Sequence, residues 1–309
     1  MNRPEFELIE WIRARVRDRA PVTLGIGDDA ACLQPAGDRE TLVAIDMLME
    51  GVHFTFPSAT PQLAGRKALA VNLSDIAAMA GRPTAAFVSV ALPNARGMQF
   101  ASEVHEGLIQ LANEYDVVIA GGDTNSWDGP LVISVTVVGE PLGPRPVCRH
   151  GALPGDWLFV TGAVGGSLSS QRHLTFSPRL AEVKQLAKMA SLHAMLDISD
   201  GLAADLHHLL KAGNVGAVLE AASIPLTEAA SKSTDGSTPL MHGLSDGEDF
   251  ELLFTVTPDD GLRLTSEWRE ATPITKIGEI TDVRGCSLHF PDGRTEPLPP
   301  IGWTHRLGH

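Results

Sequence analysis

Aspartates recur beside small residues at the ends of apolar segments in six short stretches of this sequence. Surface aspartates usually have long polar neighbours, whereas these stand against Ile, Leu, Ala and Val, where an unpaired carboxylate is costly. Lys and Arg are scarce within the stretches, so a bound metal ion is the economical way to balance the charge. The stretches are GIGDDAA (25–31), AIDMLMEGVHF (44–54), VNLSDIAAMAG (71–81), IAGGDTNS (119–126), LDISDGLAADL (196–206) and SDGEDFELLF (245–254).

The ligand chemistry of these stretches favours a hard cation. Carboxylates without neighbouring Cys or paired His suit Mg²⁺, which usually keeps waters and completes its shell with substrate phosphates. Together with the Gly-rich turns, the carboxylates therefore predict a nucleotide phosphate site. For any single stretch, a capping role is the simpler explanation. Asp200, ahead of the apolar segment GLAADLHHLL (201–210), is a plausible N-cap in its own right.

The first stretch contains an acidic doublet, Asp28 and Asp29, with no basic residue inside GIGDDAA. The two charges repel each other. Because alternate residues of an extended chain point to opposite sides, we expect one carboxylate to face a cleft. The other either hydrogen-bonds the turn or reaches a second metal ion. We expect magnesium, rather than a basic side chain, to relieve the repulsion.

Composition excludes several classes of partner. The 309 residues include 24 Lys and Arg against 38 Asp and Glu, a net charge of −14, which disfavours nucleic acid and anionic lipid. No apolar run approaches the roughly 18 residues of a membrane span, and the N-terminus lacks the apolar core of a signal peptide. The three cysteines, Cys32, Cys148 and Cys286, are far apart. They are expected to be buried thiols in a reducing cytoplasm.

Common phosphate-binding signatures are missing from the sequence. It contains no GxxxxGK[ST] loop, no GxGxxG dinucleotide fingerprint and no protein-kinase motif set. A Gly-rich VTGAVGGS (160–167) follows an apolar run, but a plain tight turn explains it equally well. These absences predict a phosphoryl-transfer enzyme that works mainly through Asp-bound metal ions.

The pattern of apolar residues predicts alternating strands and helices. One helix has clear punctuation, with Thr60 as N-cap, Pro61 at its first position and Gly81 after its end. Helices are predicted at 5–17, 61–80, 102–115, 179–190, 201–213 and 259–270. Strands are predicted at 41–45, 86–92, 117–120, 131–139, 157–162, 250–256 and 274–280.

A linker divides this pattern into two domains. The stretch GEPLGPRPVCRHGALPGD (139–156) is dense in Gly and Pro. We place the boundary near residue 145, which gives an N-terminal domain of residues 1–145 and a C-terminal domain of residues 146–309. Each half mixes strands with helices that can cover a sheet, an α/β or α+β pattern.

The motif set as a whole resembles that of the thiamine-monophosphate kinases. The resemblance rests on GIGDDAA, VNLSDIAAMAG, GGDT, LDISDGL and GEDFELLF, in this order and spacing, and runs from the first helix to IGW at 301–303. These enzymes belong to a superfamily of ATP-using proteins with aminoimidazole-ribonucleotide synthetase and selenophosphate synthetase. The resemblance implies an N-terminal α/β domain and a C-terminal α+β domain with the site in the cleft between them. It also implies a homodimer formed through the N-terminal domains.

The activity implied by the resemblance is transfer of the ATP γ-phosphate to the phosphate of thiamine monophosphate, which gives thiamine diphosphate and ADP. The acceptor phosphate is already ionised near neutral pH, so no strong general base is needed and no catalytic acid or base is assigned. Bringing two polyanions together is the harder task, and several bound Mg²⁺ ions serve it. This requirement explains the many aspartates.

The resemblance also assigns site residues by matching motif positions. Arg149 is implied to bind phosphate, although a solvated arginine in the linker is the alternative interpretation. Trp303 is implied to stack on the thiamine ring, although a purely structural role is the alternative interpretation. His53 is ambiguous when taken alone. The implied metal ligands are Asp29, Asp46, Asp75, Asp123, Asp197 and Asp200. The implied ATP contacts are Gly122, Asp123, Arg149 and Ser199, and the implied thiamine contacts are His53, Glu248 and Trp303.

Three departures from the family pattern leave alternatives open, one of which is a segment between VTGAVGG and RHLTFSPR (172–179) that is shorter than typical. Ala44-Ile45 stands where the family usually has Ser-Thr, which removes a hydroxyl able to contact metal, and Asp246 replaces a usual Gly. One rival is a superfamily enzyme with a different acceptor. However, a selenophosphate synthetase should carry a reactive Cys and a Lys near the N-terminus, and the first Lys is Lys67. The other rival is a non-catalytic nucleotide-binding relative, supported only by Ala44-Ile45.

Overall fold

Two mixed sheets, formed by successive parts of the chain, are the framework of the fold. The computed structural model of the protein describes residues 22–24, 28–34 and 40–304, and the structural statements below concern these residues. The helix predicted at 5–17 lies outside them. None of the described helices is long and apolar enough to cross a bilayer.

The first sheet has six strands in the order β1-β2-β3-β6-β4-β5. Neighbours are antiparallel except β4 and β5, which are parallel. The strands are β1 Val22–Leu24, β2 Ala31–Leu33, β3 Thr41–Met49, β4 Gly81–Pro93, β5 Val118–Trp127 and β6 Val132–Pro141.

The second sheet has seven strands in the order β13-β12-β9-β11-β7-β10-β8, and only β9 and β12 are parallel neighbours. Its strands are β7 Trp157–Thr161, β8 Ala194–Asp197, β9 Gly216–Glu220, β10 Leu252–Val256, β11 Ile274–Thr281, β12 Gly285–His289 and β13 Thr295–Pro297. The helices are α1 Pro61–Ala78, α2 Gly97–Glu114, α3 Arg172–Thr175, α4 Leu180–Met189, α5 Leu202–Gly213, α6 Glu228–Lys232, α7 Pro239–Ser245 and α8 Pro258–Glu267.

Helix α1 joins the two halves. It starts as the sequence predicts, because the Thr60 hydroxyl accepts the Leu63 N–H at 3.2 Å and Pro61 occupies the first turn. Leu69 and Leu73 lie in the core under the first sheet, whereas the end of the helix packs against the second sheet. A helix buried on nearly all sides cannot show a polar face, and α1 contains few charged residues.

Strands β3 and β5 are longer than the sequence predicts. The prediction ends them at residues 45 and 120, but they continue to Met49 and Trp127. The extension of β5 contains Gly121, Gly122 and Asp123, which are poor strand formers. Backbone pairing with β4 overrides their local preference.

Successive side chains of β3 alternate between the helix-covered core and an uncovered face of the first sheet. Leu42 and Leu48 are buried, whereas Ile45 is 66% exposed and Met47 57% exposed. The strand register extends the uncovered side over β6, β4 and β5. We call this side the open face, and it includes Ile45, Met47, Met49, Phe87, Val118, Asp123 and Trp127.

Two glycines let α1 and α2 approach backbone to backbone. A Cβ at Gly65 would stand 1.9 Å from the carbonyl oxygen of Val104, and one at Gly107 would stand 1.9 Å from the carbonyl oxygen of Gln62. No side chain fits at such distances, so the helices must separate if either glycine is replaced.

We predict that Gly107→Ala lowers the free energy of unfolding by about 1–3 kcal/mol, although alanine favours an isolated helix. The measurement is chemical denaturation. Gln110→Ala, on the exposed side of the same helix, is the matched control and should change stability by less than about 0.5 kcal/mol. A Gly107→Ala protein as stable as the wild type would contradict the close helix contact.

Candidate functional site

A cavity of about 250 Å³ lies where residues of the two halves of the chain meet. Strand β3 and the turn after it, helix α1, the loop after β8 and the loop before β10 all contribute to its walls. Eight of the twelve residues assigned from the sequence line it. They are Asp46, His53, Asp75, Asp197, Ser199, Asp200, Glu248 and Trp303.

Carboxylates from three elements meet at one end of the cavity. Asp46 points from the helix-covered side of β3, and its carboxyl group is hydrogen-bonded to that of Asp75 on α1. Asp197, at the end of β8, accepts a hydrogen bond from the Ser74 hydroxyl. One oxygen from each of Asp29, Asp75 and Asp197 lies within 4.8 Å of the others. The sequence therefore assigned four residues that do come together, and we call them the carboxylate cluster.

Crowding changes the acidity of the cluster. Burial raises the pKa of Asp75 well above its ordinary range, and the charges of Asp46, Asp197 and Asp29 raise it further. Burial, with the charge of Asp29, also raises the pKa of Asp197 to about 8, against the hydrogen bond from Ser74. The cluster can stay fully ionised only beside a cation. All the ligand atoms that the cluster offers to a metal are carboxylate oxygens, which fit a hard divalent ion such as Mg²⁺.

The acidic doublet has a basic partner after all. The Arg149 guanidinium donates two hydrogen bonds to Asp29, from Nε at 3.0 Å and from Nη2 at 2.6 Å. Asp28 accepts the backbone N–H groups of Asp29 and Arg149, each at 3.0 Å. The expectation that no basic side chain relieves the doublet is therefore wrong. Arg149 is 120 residues away in sequence, and only the fold brings it close. Asp28 does hydrogen-bond the turn, as one of the two alternatives proposed.

The other end of the cavity contains His53 and Glu248. After β3 the chain turns at Gly51, and His53 Nδ1 accepts the backbone N–H of Met49 at 2.9 Å. Glu248 forms an ion pair with the fully buried Lys67. Burial opposes ionisation of Glu248, but the hydrogen bond from His173 and the charge of Lys67 outweigh it, and its pKa lies below the ordinary value. Glu248 therefore presents a stable negative charge.

Buried contacts of the residues that follow Glu248 hold its loop in place. Asp249 is 1% exposed and accepts hydrogen bonds from Arg172 at 2.7 Å and from the Gly165 N–H at 2.8 Å. Glu251 is buried between Arg172 and Arg179, at 3.0 Å and 2.6 Å. Glu248 lines the cavity, whereas its neighbour Asp249 does not and has a structural contact instead.

The loop after β8 forms the third wall. The Glu248 N–H donates to the Ser199 carbonyl at 2.6 Å, and the Trp303 N–H donates to the Asp200 carbonyl at 2.8 Å. Asp200 is not the N-cap of α5, since that position is Gly201, which makes no side-chain cap. Instead the carboxylate of Asp205 accepts the N–H groups of Asp200 and Gly201, at 3.0 Å and 3.1 Å. This contact leaves the Asp200 side chain directed to the cavity.

Gly122 and Asp123 are not brought to the cavity of their own chain. Asp46 pairs with Val135, Val135 with Val88, and Val88 with Gly122, so three strand spacings, about 14 Å, separate Asp46 from Gly122. The side chain of Asp123 also belongs to the open face, on the opposite side of the sheet from Asp46. Within one copy, Asp123 and Asp46 cannot share a metal ion.

Four residues of the site were missed by the sequence analysis: Lys67, Ser74, His173 and Asp205. Ser74 stands directly before Asp75 in an identified motif, so its position could have indicated a role. Lys67 precedes Asp75 by eight residues, which places both on one side of a helix. Asp205 also stands inside an identified stretch, LDISDGLAADL, whereas His173 gave no such signal, because its partner Lys67 is distant in sequence.

Comparison with known proteins matches both halves of the chain. Residues 27–140 match the model of the AIR synthase related protein N-terminal domain, and residues 154–290 match that of the C-terminal domain. These matches confirm the predicted fold of two AIR synthase-like domains.

Known relatives resemble the chain over almost its whole length. The thiamine-monophosphate kinase of Rhodopirellula baltica is 39% identical over 311 residues, covering 97% of both chains. That of Escherichia coli (strain K12) is 36% identical, covering 97% of this chain and 98% of its own. The solved structure of AaThiL complexed with AMPPCP and TMP has a TM-score of 0.84 at 31% identity, covering 98% of this chain and 97% of that chain. The chain therefore belongs to the thiamine-monophosphate kinase family of AIR synthase related proteins.

Proposed function

We propose that this protein transfers the γ-phosphate of ATP to thiamine monophosphate, giving thiamine diphosphate and ADP in thiamine diphosphate biosynthesis. The observation that carries the proposal is the cavity with a carboxylate cluster at one end and Glu248 with His53 at the other. Such a cavity suits a phosphate-rich donor beside an acceptor that carries a positive ring. The related protein AaThiL has been solved in complex with AMPPCP, an ATP analogue, and TMP.

Mg²⁺ is the cofactor that we propose, held by Asp29, Asp46, Asp75 and Asp197 with Asp200 nearby. The proposal is supported by an all-oxygen donor set, by the closeness of three carboxylates and by their raised affinity for positive charge. Bound divalent ions would neutralise phosphate charge during an in-line transfer. Ala44 and Ile45 do not remove any of these carboxylates.

The nucleotide is proposed to contact Ser199 and Arg149, beside the carboxylate cluster. Ser199 lines the cavity two residues after Asp197, and the Arg149 guanidinium reaches the same region through Asp29. A planar guanidinium offers a fork of donors that matches phosphate oxygens. These two residues therefore bring neutral and charged donors to the phosphate end of the cavity.

Thiamine monophosphate is proposed to contact Glu248, His53 and Trp303. The ionised carboxylate of Glu248 complements the positive thiazolium, and His53 lines the same cavity, with its Nδ1 accepting the Met49 N–H. Trp303 lines the cavity and is 53% exposed, so its ring is available for stacking and cation–π attraction.

A homodimer formed through the open face is the assembly that we propose, with the domain boundary kept near residue 145. Exposed apolar side chains on one sheet, including Phe87 and Ile45, support an interface between copies. Asp123 shares this face, on the edge strand β5. We therefore assign Gly122 and Asp123 to the nucleotide and metal of the second copy. The cytoplasm is the proposed compartment, in keeping with three free thiols.

The proposed reaction can be assayed directly. Purified protein incubated with Mg-ATP and thiamine monophosphate should form thiamine diphosphate and ADP in equal amounts, detected by chromatography. Chelation of divalent ions with EDTA should stop product formation, and added Mg²⁺ should restore it. Folded protein that binds ATP but makes no thiamine diphosphate would refute the proposed activity.

Asp75→Asn should reduce turnover by at least about a hundredfold, since single electrostatic contributors to a transition state are often worth that much. The same change removes a carboxyl group from a crowded cluster, so thermal stability without metal should stay the same or rise. Asp282→Asn, at an exposed position, is the control. An active Asp75→Asn enzyme, or one that loses activity only because it unfolds, would rule out the proposed metal role.

Mixing two inactive variants tests the assignment of Asp123 to the second copy. If Asp75 and Asp123 act in sites shared between copies, a heterodimer of Asp75→Asn and Asp123→Asn contains one intact site. Random exchange should then restore about a quarter of the wild-type activity. Phe87→Lys in both chains should produce monomers in analytical ultracentrifugation and prevent the recovery. A mixture that stays inactive, although heterodimers form, would place Asp123 in its own copy's site or in none.

A further inference from the structure

Lys67 is a buried cation to which neither the carboxylate cluster nor the proposed substrate contacts assign a role. Its side chain is fully inaccessible to solvent, and it is among the largest fully buried side chains of the described core. A lysine in such a place must have all its charge compensated by neighbours. Its contacts therefore indicate what it holds.

The ammonium group of Lys67 joins three separate segments at the end of the cavity that contains His53 and Glu248. Its Nζ donates to the His53 carbonyl oxygen at 2.8 Å and to the Glu248 carboxylate, and lies 3.0 Å from His173 Nδ1. The neighbouring Arg66 donates to the carbonyl oxygens of Leu174 and Phe176 and does not contact Glu248. The two adjacent cations therefore have different tasks, since only Lys67 touches residues that line the cavity.

The backbone of Glu248 needs such an anchor. Its φ is +57°, in the left-handed region that is unfavourable for a residue with a Cβ, and Phe250 has a φ of +51°. Strained conformations of this kind persist where surrounding contacts over-determine them. The Glu248 N–H bond to Ser199 fixes the main chain, and Lys67 fixes the carboxylate.

Helix α1 also sets the distance between the two ends of the cavity. Lys67, Val71 and Asp75 follow one another at intervals of four residues, so they share one side of the helix. Val71 and Asp75 line the cavity. Eight residues at 1.5 Å each separate Lys67 from Asp75 by about 12 Å along the axis. One rigid element thus carries both a carboxylate of the cluster and the cation that holds Glu248.

We propose that Lys67 is a positioning residue for the acceptor, which orients the Glu248 carboxylate and the His53 loop toward the thiamine ring. The proposal rests on the function proposed above. Lys67 acts through Glu248 and does not touch the substrate. Its loss should therefore weaken recognition of thiamine monophosphate while sparing the phosphate end of the cavity.

The test compares Lys67→Met and Lys67→Gln with the wild type and with Lys276→Met, a control lysine that lies over the Trp157 ring. Lys67→Gln can still donate to His53, so it serves if Lys67→Met does not fold. Both variants should raise the KM and the Kd for thiamine monophosphate by at least about tenfold, because a charged partner of Glu248 is lost. The Kd for AMPPCP and the kcat at saturating acceptor should stay within about threefold. Lys67→Arg, which keeps the charge, should recover part of the affinity.

A double-mutant cycle separates positioning from general damage to the core. Glu248→Gln combined with Lys67→Gln should bind thiamine monophosphate no more weakly than Glu248→Gln alone, because the lysine acts through that carboxylate. Additive losses, equal losses for AMPPCP, or a folded Lys67 variant with normal acceptor affinity would each overturn the proposal. A wild-type protein that neither binds nor phosphorylates thiamine monophosphate would instead refute the proposed function.

Discussion

The concentration of carboxylates at the junction of the two sheets is the constraint on which the rest of the structure depends. Each of these groups would destabilise the junction if it were buried without a counter-charge. The chain supplies part of that charge itself, with Arg149 on Asp29 and Lys67 on Glu248. Within the described part of the chain, Asp46 and Asp75 form no ion pair of that kind and share a hydrogen bond instead. Asp46 and Asp75 are therefore the carboxylates that most need a bound cation in order to be ionised together.

Helix α1 meets this constraint because of its composition. Glycine and alanine let it approach α2 closely on one side, while its end packs against Phe159 and Phe254 of the second sheet. It is therefore fixed from both halves, and the polar groups that it carries have little freedom to move. Rigid support of this kind is what a cluster of like charges needs, since small displacements would let the carboxylates separate and lose their shared affinity for a cation.

Local signals predicted the five described helices of ten residues or more, seven of the thirteen described strands and the carboxylates that meet in the cavity, but not the short helices α3, α6 and α7. The start of α1 could be predicted from the sequence because Thr60 and Pro61 act on their immediate neighbours. The partnership of Arg149 with Asp29 was not visible, because 120 residues separate them and the pairing depends on how the two halves dock. Asp123 shows a second reason why the sequence alone does not predict the whole site. Its motif indicated chemistry, but the strand register that places it on the open face is decided by pairing with β4.

The contact of Arg149 with Asp29 affects how Arg149 can bind the phosphates of the proposed nucleotide. Both oxygens of Asp29 accept hydrogen bonds from the guanidinium, so the same N–H groups cannot also bind a phosphate. A guanidinium has five N–H donors, so Arg149 keeps three for a phosphate while it holds Asp29. Burial of Asp28 beside it, which raises the pKa of Asp28 to about 7 with the charge of Asp29 adding to the effect, makes an uncompensated doublet still more costly. The arginine thus links the carboxylate cluster to the proposed nucleotide site, because one guanidinium can contact Asp29 and a phosphate at the same time.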